Sequence, residues 1–298
     1  MKVAYAFLCL CAVAIVHGGA PPAPWSVTRT SDGRREIRIH AGGEQGRAFR
    51  YNLDCGQLVG VEMGNGLSMD WLPVAGAERL RDVQWSEGYP VIHRRSGGAS
   101  IVECPQIDEG GWVRSIRISA GQEPIFIAAA EPGTSVTIRG KAAVWTRREV
   151  TWRAEWTSAH PCRWLAREGQ LALEVPPRLE AIDVTITVAS GDSGAARVGN
   201  VFPSQRIEAE ASATGVQLRF ADSLATQVAA DRDQWRVADV FEVTKSSAPT
   251  TVNIGTDDRS IFLGLTGAAP ASVLAIGYRL KTVEGEPLEG EILVRTED

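Results

Sequence analysis

The chain has 298 residues, a formal net charge of −5 at pH 7 and a hydrophobic content of 44%, enough to bury a substantial core without covalent staples. Lysine occurs only at Lys2, Lys141, Lys245 and Lys281. The basic residues are therefore nearly all arginines, scattered along the chain, and a basic stripe for nucleic acid is excluded.

The first residues, MKVAYAFLCLCAVAIVHGGA, put Lys2 ahead of an apolar run from Ala4 to Val16 that ends in small residues. This is the layout of a secretory signal peptide and is too short to span a bilayer. It predicts a leader of residues 1–20, cleavage between Ala14 and Ala20, and an exported mature chain, secreted or periplasmic, with no transmembrane segment. Cys9 and Cys11 would leave with the leader. Cys55, Cys104 and Cys162 remain, so at most one bridge forms within the chain, with three possible pairings and one thiol left over. None lies in a C-x-x-C pair, and no metal site is expected of them.

From Trp25 onward the apolar residues recur with period two, as in REIRIHA (35–41), WVRSIRISA (112–120), SVTIRG (135–140), IDVTITVAS (182–190) and GVQLRFAD (215–222). Alternation of this kind marks half-buried strands. Turn residues punctuate them at Ser31-Asp32-Gly33, Gly110-Gly111, Gly140-Lys141 and Gly285-Glu286-Pro287. Only DSLATQVAADRDQW (222–235) has helical character, with Asp222 or Ser223 as the cap. The fold class is all-β: a large β-sandwich or supersandwich. The glycine-rich SGDSGAARVGN (190–200) offers a boundary between a β-sandwich over 21–190 and a smaller immunoglobulin-like sandwich over 198–298. One continuous supersandwich over 25–298 is the alternative.

The stretch VTWRAEWTSAHPCRW (150–164) concentrates three tryptophans. Read as a strand, it turns Trp152 and Trp156 to one face and Arg153 and Glu155 to the other. Burial of both indoles in a core is the favoured reading, since large aromatics are mostly buried. The functional reading is an aromatic platform of Trp145, Trp152, Trp156 and Trp164, stacking on the rings of a polysaccharide or oligosaccharide.

Within the same stretch, TSAHPC, with GDSG at 191–194, resembles the histidine and serine motifs of chymotrypsin-like proteases. In that family well over a hundred residues separate the two motifs and the serine motif continues with Gly-Pro. Here His160 and Ser193 lie in neighbouring segments, Ala195 and Ala196 follow, and Asp183 is the aspartate between them. The motifs read better as a loop histidine and a glycine-rich turn.

Elsewhere, VIHRRSG (91–97) carries His93, and VECPQIDEGG (102–111) places Glu103, Asp108 and Glu109 on an expected loop. A histidine and a carboxylate on opposite walls of a β cleft suit proton transfer to a sugar ring oxygen. Galactose-mutarotase-like proteins do such chemistry on a supersandwich, an analogy of architecture with no motif of that family in this chain. Asp231, Asp233, Asp257 and Asp258 could offer oxygens to calcium but lack the spacing of a twelve-residue calcium loop. Cleavage just before His17 would create an amino-terminal histidine of the kind that binds copper, with His93 or His160 as second ligand, but Val16 is a poor cleavage residue. The reading is therefore carbohydrate recognition without a cofactor. An extracytoplasmic structural or protein-interaction module is the alternative, and a sugar-active enzyme the second.

Overall fold

The computed structural model describes residues 25–31, 33–40, 47–63, 68–70, 79–86, 89–96, 98–107, 111–130, 135–147, 149–167, 170–191, 207–241, 246–266 and 272–296. The leader, His17, Asp108, Glu109, Ser193 and the glycine-rich segment 192–200 lie outside them. Strands dominate throughout, as the period-two pattern requires. The first five, β1 (Trp25–Arg29), β2 (Arg35–His40), β3 (Arg47–Asn52), β4 (Leu58–Met63) and β5 (Ser68–Asp70), form an antiparallel sheet in chain order.

The next four, β6 (Arg79–Ser86), β7 (Tyr89–Ser96), β8 (Ala99–Ile107) and β9 (Gly111–Ile118), form a meander at the centre of a twelve-stranded sheet. β10 (Ile125–Ala130) leaves it to pair with β15 (Gln170–Val175), which also pairs with β14 (Arg163–Arg167) in a three-stranded sheet. β11 (Val136–Arg139), β12 (Ala142–Arg147), β13 (Val150–Thr157) and β16 (Ile182–Ser190) extend the large sheet from β9. β17 (Ile207–Ser212), β18 (Gly215–Phe220), β21 (Thr251–Ile254) and β22 (Ser260–Gly264) make a four-stranded sheet. At its other side the large sheet continues through β24 (Pro287–Arg295), β23 (Val273–Lys281), β19 (Trp235–Asp239) and β20 (Ser246–Ser247), because β24 pairs with β6 at Leu293↔Val83.

The sheets pack around two apolar clusters. The larger joins Ile37, Phe49 and Tyr51 of the first sheet and Ile127 and Leu173 of the three-stranded sheet to Ile92, Ile101, Ile116 and Ile186 of the large one. The smaller joins Val216, Leu218 and Ile261 of the four-stranded sheet to Trp235, Ile276 and Ile292. β23 and β24 serve both. Val273, Ala275 and Leu293 face the larger cluster, while Leu274, Ile276, Ile292 and Val294 face the smaller. Burial on both faces explains why ASVLAIGYRLK and EILVR read as nearly continuous apolar runs.

The turns follow local chemistry. Gly140 between β11 and β12 has φ +57° and Gly285 between β23 and β24 has φ +87°, values glycine adopts without a Cβ clash. The 222–235 stretch contains a single turn of α-helix, α1 (Thr226–Ala229), and a 3-10 turn over Arg232–Gln234. Neither Asp222 nor Ser223 caps α1. Ala225 occupies that position without a side-chain bond, and Asp231 instead caps the 3-10 turn by accepting from the Asp233 amide. Among the described residues no helix is long and apolar enough to cross a membrane.

Candidate binding cavity

All four candidate platform tryptophans sit in the larger core. Trp145, Trp152, Trp156 and Trp164 are 2%, 3%, 7% and 4% exposed. β12 and β13 pair Trp145 with Trp152, and Trp152 packs against Trp112 with ring centroids 5.6 Å apart. Trp164 donates its indole N–H to the Lys141 carbonyl at 2.8 Å, and the Lys141 ammonium lies 4.6 Å from the Trp156 ring centroid. Indoles covered to this degree offer no face to a sugar ring, because the opposed sheets occupy it. The polar side of β13 is as the alternation implies, with Arg153 and Glu155 paired in solvent.

The remaining candidates separate. Glu103 is in β8, not in a loop, and is fully buried. It faces the larger core, where Arg114 Nε and Nη2 donate to its two oxygens at 2.5 and 2.8 Å and Tyr51 donates at 2.7 Å. Burial alone pushes the Glu103 carboxyl up. The charge and hydrogen bonds of Arg114, with help from Arg94 and Tyr51, outweigh it and hold the group below the usual carboxylate range. Tyr51 is pushed well above the phenol range by burial and by the Glu103 charge. Asp257 accepts from the Arg259 and Ser260 amides and the Ser260 hydroxyl, so Asp231 and Asp257 serve as turn caps. Among the described residues no three His, Cys, Asp or Glu side chains converge as metal ligands would. No disulfide joins Cys55, Cys104 and Cys162, and burial pushes the Cys104 and Cys162 thiols up to about 11.

His93 is on the other face of the large sheet from Glu103. β7 turns Ile92 towards the larger core, where it pairs with Glu103, and His93 towards the four-stranded sheet. There its cross-strand partner is Asp82 of β6. The two are 4% and 2% exposed, and His93 Nδ1 lies 2.7 Å from Asp82 Oδ1. A carboxylate only accepts, so Nδ1 carries the proton, and the Nδ1-protonated tautomer of the ring has an acceptor lone pair on Nε2. Nε2 has no partner among the described residues. Gln84 Nε2 donates to the same Asp82 oxygen at 2.8 Å and also to the Ile207 carbonyl of β17.

A bulge in β6 completes the site. The register of β6 against β7 shifts between Leu80 and Asp82, leaving Arg81 as the extra residue and re-aiming its side chain, as bulges do. Arg81 Nη2 donates to the Ala209 carbonyl at 3.1 Å. Arg81 and Gln84 thus satisfy carbonyls of β17, which among the described residues has a strand neighbour on one side only, and hold this edge over the sheet. Between them is a cavity of about 250 Å³, lined by Arg81, Asp82, His93, Ser100, Val102 and, from β17, Glu208. That volume is room for roughly eight waters at about 30 Å³ each, the scale of one small polar molecule. Sequence alone singled out His93 but sought its carboxylate among Glu103, Asp108 and Glu109, on a segment expected to be a loop. The bulge at Arg81 interrupts period two within β6, so no local pattern marks Asp82 as the residue opposite His93.

No family model matches the chain, and no curated protein matches it. Solved structures similar to it include a polysaccharide lyase, at a TM-score of 0.31 and 10% identity, over 85% of this chain and 46% of that one. The chain spans a little under half the length of that structure. What fold and site define together is an all-β protein with a partly open polar cavity between two of its sheets, with a buried histidine in its lining.

Proposed function

We propose that this protein is an exported carbohydrate-recognition protein, and that the cavity between the large sheet and β17 takes a single sugar unit. The observation that carries the reading is the buried Nε2 of His93, which has no partner among the described residues and belongs to a ring that Asp82 fixes through Nδ1 beside a cavity. Buried polar atoms are almost always paired, so a ligand group is the natural partner. A sugar hydroxyl donates and accepts at once. His93 Nε2 and the Glu208 carboxylate supply acceptors and the Arg81 guanidinium supplies donors, which matches that dual character. The same arrangement can move a proton, since His93 Nε2 can take one from a ligand hydroxyl while Asp82 stabilises the imidazolium that results. The tryptophans contribute the rigid sheet behind the site and do not touch the ligand.

Saturation-transfer NMR with glucose, galactose, mannose and N-acetylglucosamine tests this. At least one should receive signal from the wild-type chain and lose it in His93→Gln, which keeps polarity and approximate size. Transfer from none of the four, or equal transfer in His93→Gln, leaves the cavity as packing between sheets and favours a scaffold role.

A further inference from the structure

At a second place in the molecule a buried cation has no counter-charge hydrogen-bonded to it among the described residues. Arg178 lies in the loop between β15 and β16, where two backbone hydrogen bonds with Gly121, at 2.9 and 2.8 Å, fix it. Its side chain is 5% exposed. Nη1 reaches the Pro176 carbonyl at 3.5 Å, while Nε and Nη2 have no partner among the described residues. Those two nitrogens form one edge of the guanidinium, the edge that receives a carboxylate side-on through two parallel hydrogen bonds. The chain itself uses that edge in this way twice, at Arg114 with Glu103 and at Arg117 with Asp183. A buried cation without a counter-charge is costly, and burial lowers the affinity of this guanidinium for its proton.

Arg178 lines an open depression of about 1020 Å³. Gly121 also lines it, and a Cβ there would come within 3.3 Å of Arg178 Nη2, so the glycine keeps the space beside the guanidinium clear. Polar groups from Gln122, Ser158 and His160 share the rim, and His160 Nε2 is likewise without a partner among the described residues. Pro177, Leu179 and Ile182 give it an apolar wall, with Leu179 96% exposed. Two carboxylates are present. Asp183 is engaged by Arg117 at 2.8 and 2.9 Å, and Glu180 is exposed.

We infer that this depression is a binding site for a carboxylate-bearing small molecule with an apolar face, whose carboxylate pairs with the Nε–Nη2 edge of Arg178. The site goes beyond the sugar cavity and does not depend on it. Asp183 stands three strands away from His93 along one cross-strand row, about 14 Å at the usual strand spacing.

The test is a calorimetric titration of the full chain with sodium glucuronate, with glucose and sodium chloride as comparisons. Glucuronate should bind. Arg178→Lys keeps a positive charge but loses the fork and should weaken binding about tenfold or more. Leu179→Asp, at a position too exposed to affect folding, should weaken glucuronate binding by repulsion even if the Arg178 variant is unstable. His93→Gln should leave the Arg178-dependent part of glucuronate binding unchanged, whatever it does to sugar binding in the other cavity, which separates the two sites. Failure of glucuronate to bind, equal affinity in Arg178→Lys or Leu179→Asp, loss of the Arg178-dependent binding in His93→Gln, or competition by chloride as strong as by glucuronate itself would each overturn the assignment.

Discussion

Replacing Trp152 with alanine separates a tryptophan that holds the protein together from one that binds sugar. Trp152 is 3% exposed, lies opposite Trp145 and packs on Trp112 at 5.6 Å. A tryptophan buries about 150–250 Å², which at about 25 cal/mol per Å² is about 4–6 kcal/mol for the whole side chain. Alanine retains the Cβ share and the surrounding sheet relaxes in part, so the expected loss is about 3–5 kcal/mol. That is a large fraction of the roughly 5–15 kcal/mol that holds a typical domain folded. Urea denaturation followed by circular dichroism measures it, with an unchanged slope certifying that the same surface unfolds. A loss below about 1 kcal/mol at unchanged slope would refute the core placement, because such small costs belong to exposed side chains.

Three further outcomes follow. Thiol titration of denatured, unreduced mature protein should find three sulfhydryls per chain, since no disulfide joins Cys55, Cys104 and Cys162; one sulfhydryl would mean a bridge the fold does not contain. Glu103 has a folded-state pKa below its unfolded value, so its contribution is full above the unfolded glutamate value of about 4.3 and is lost as pH falls through the lower folded value. Glu103→Gln should accordingly flatten the acid limb of the stability profile and cost about 3–5 kcal/mol at neutral pH by stranding Arg114; an acid limb as steep as wild type would contradict the network. Amino-terminal sequencing of exported protein should begin between Ile15 and Pro21, and an intact Met1 on exported protein would sink the signal-peptide reading.

The strands were legible because one buried face and one polar face leave an alternating pattern, as in β13, where Trp152, Ala154 and Trp156 go inward and Arg153 points out. Which strands pair was less so. β6 and β24 adjoin in the large sheet although most of the chain separates them, and long-range pairing leaves no local mark. The platform idea rested on a face pattern that core and platform share, and only the opposing sheets decide between them. His93 stood out as a rare residue type, but the Arg81 bulge puts Asp82 opposite it, and a one-residue shift of register is invisible to periodicity. Glu103 looked like a loop residue because Pro105 and the glycines follow it, yet β8 runs on through Ile107. Arg178 lies in a proline-rich loop with no period at all, and its missing partner shows only in three dimensions.

Sugar recognition in this cavity turns on one nitrogen atom, and ¹⁵N spectra of the histidine rings observe it directly. In the free protein His93 should show a protonated Nδ1, as its contact with Asp82 requires, and an unprotonated Nε2 free to accept from a sugar hydroxyl. Addition of the monosaccharide that gives saturation transfer should then move the His93 Nε2 resonance while leaving that of His40, which lies in β2 of the first sheet, in place. A proton on Nε2 with Nδ1 bare, or a His93 Nε2 resonance that stays still while sugar binds, would mean that His93 does not receive the sugar.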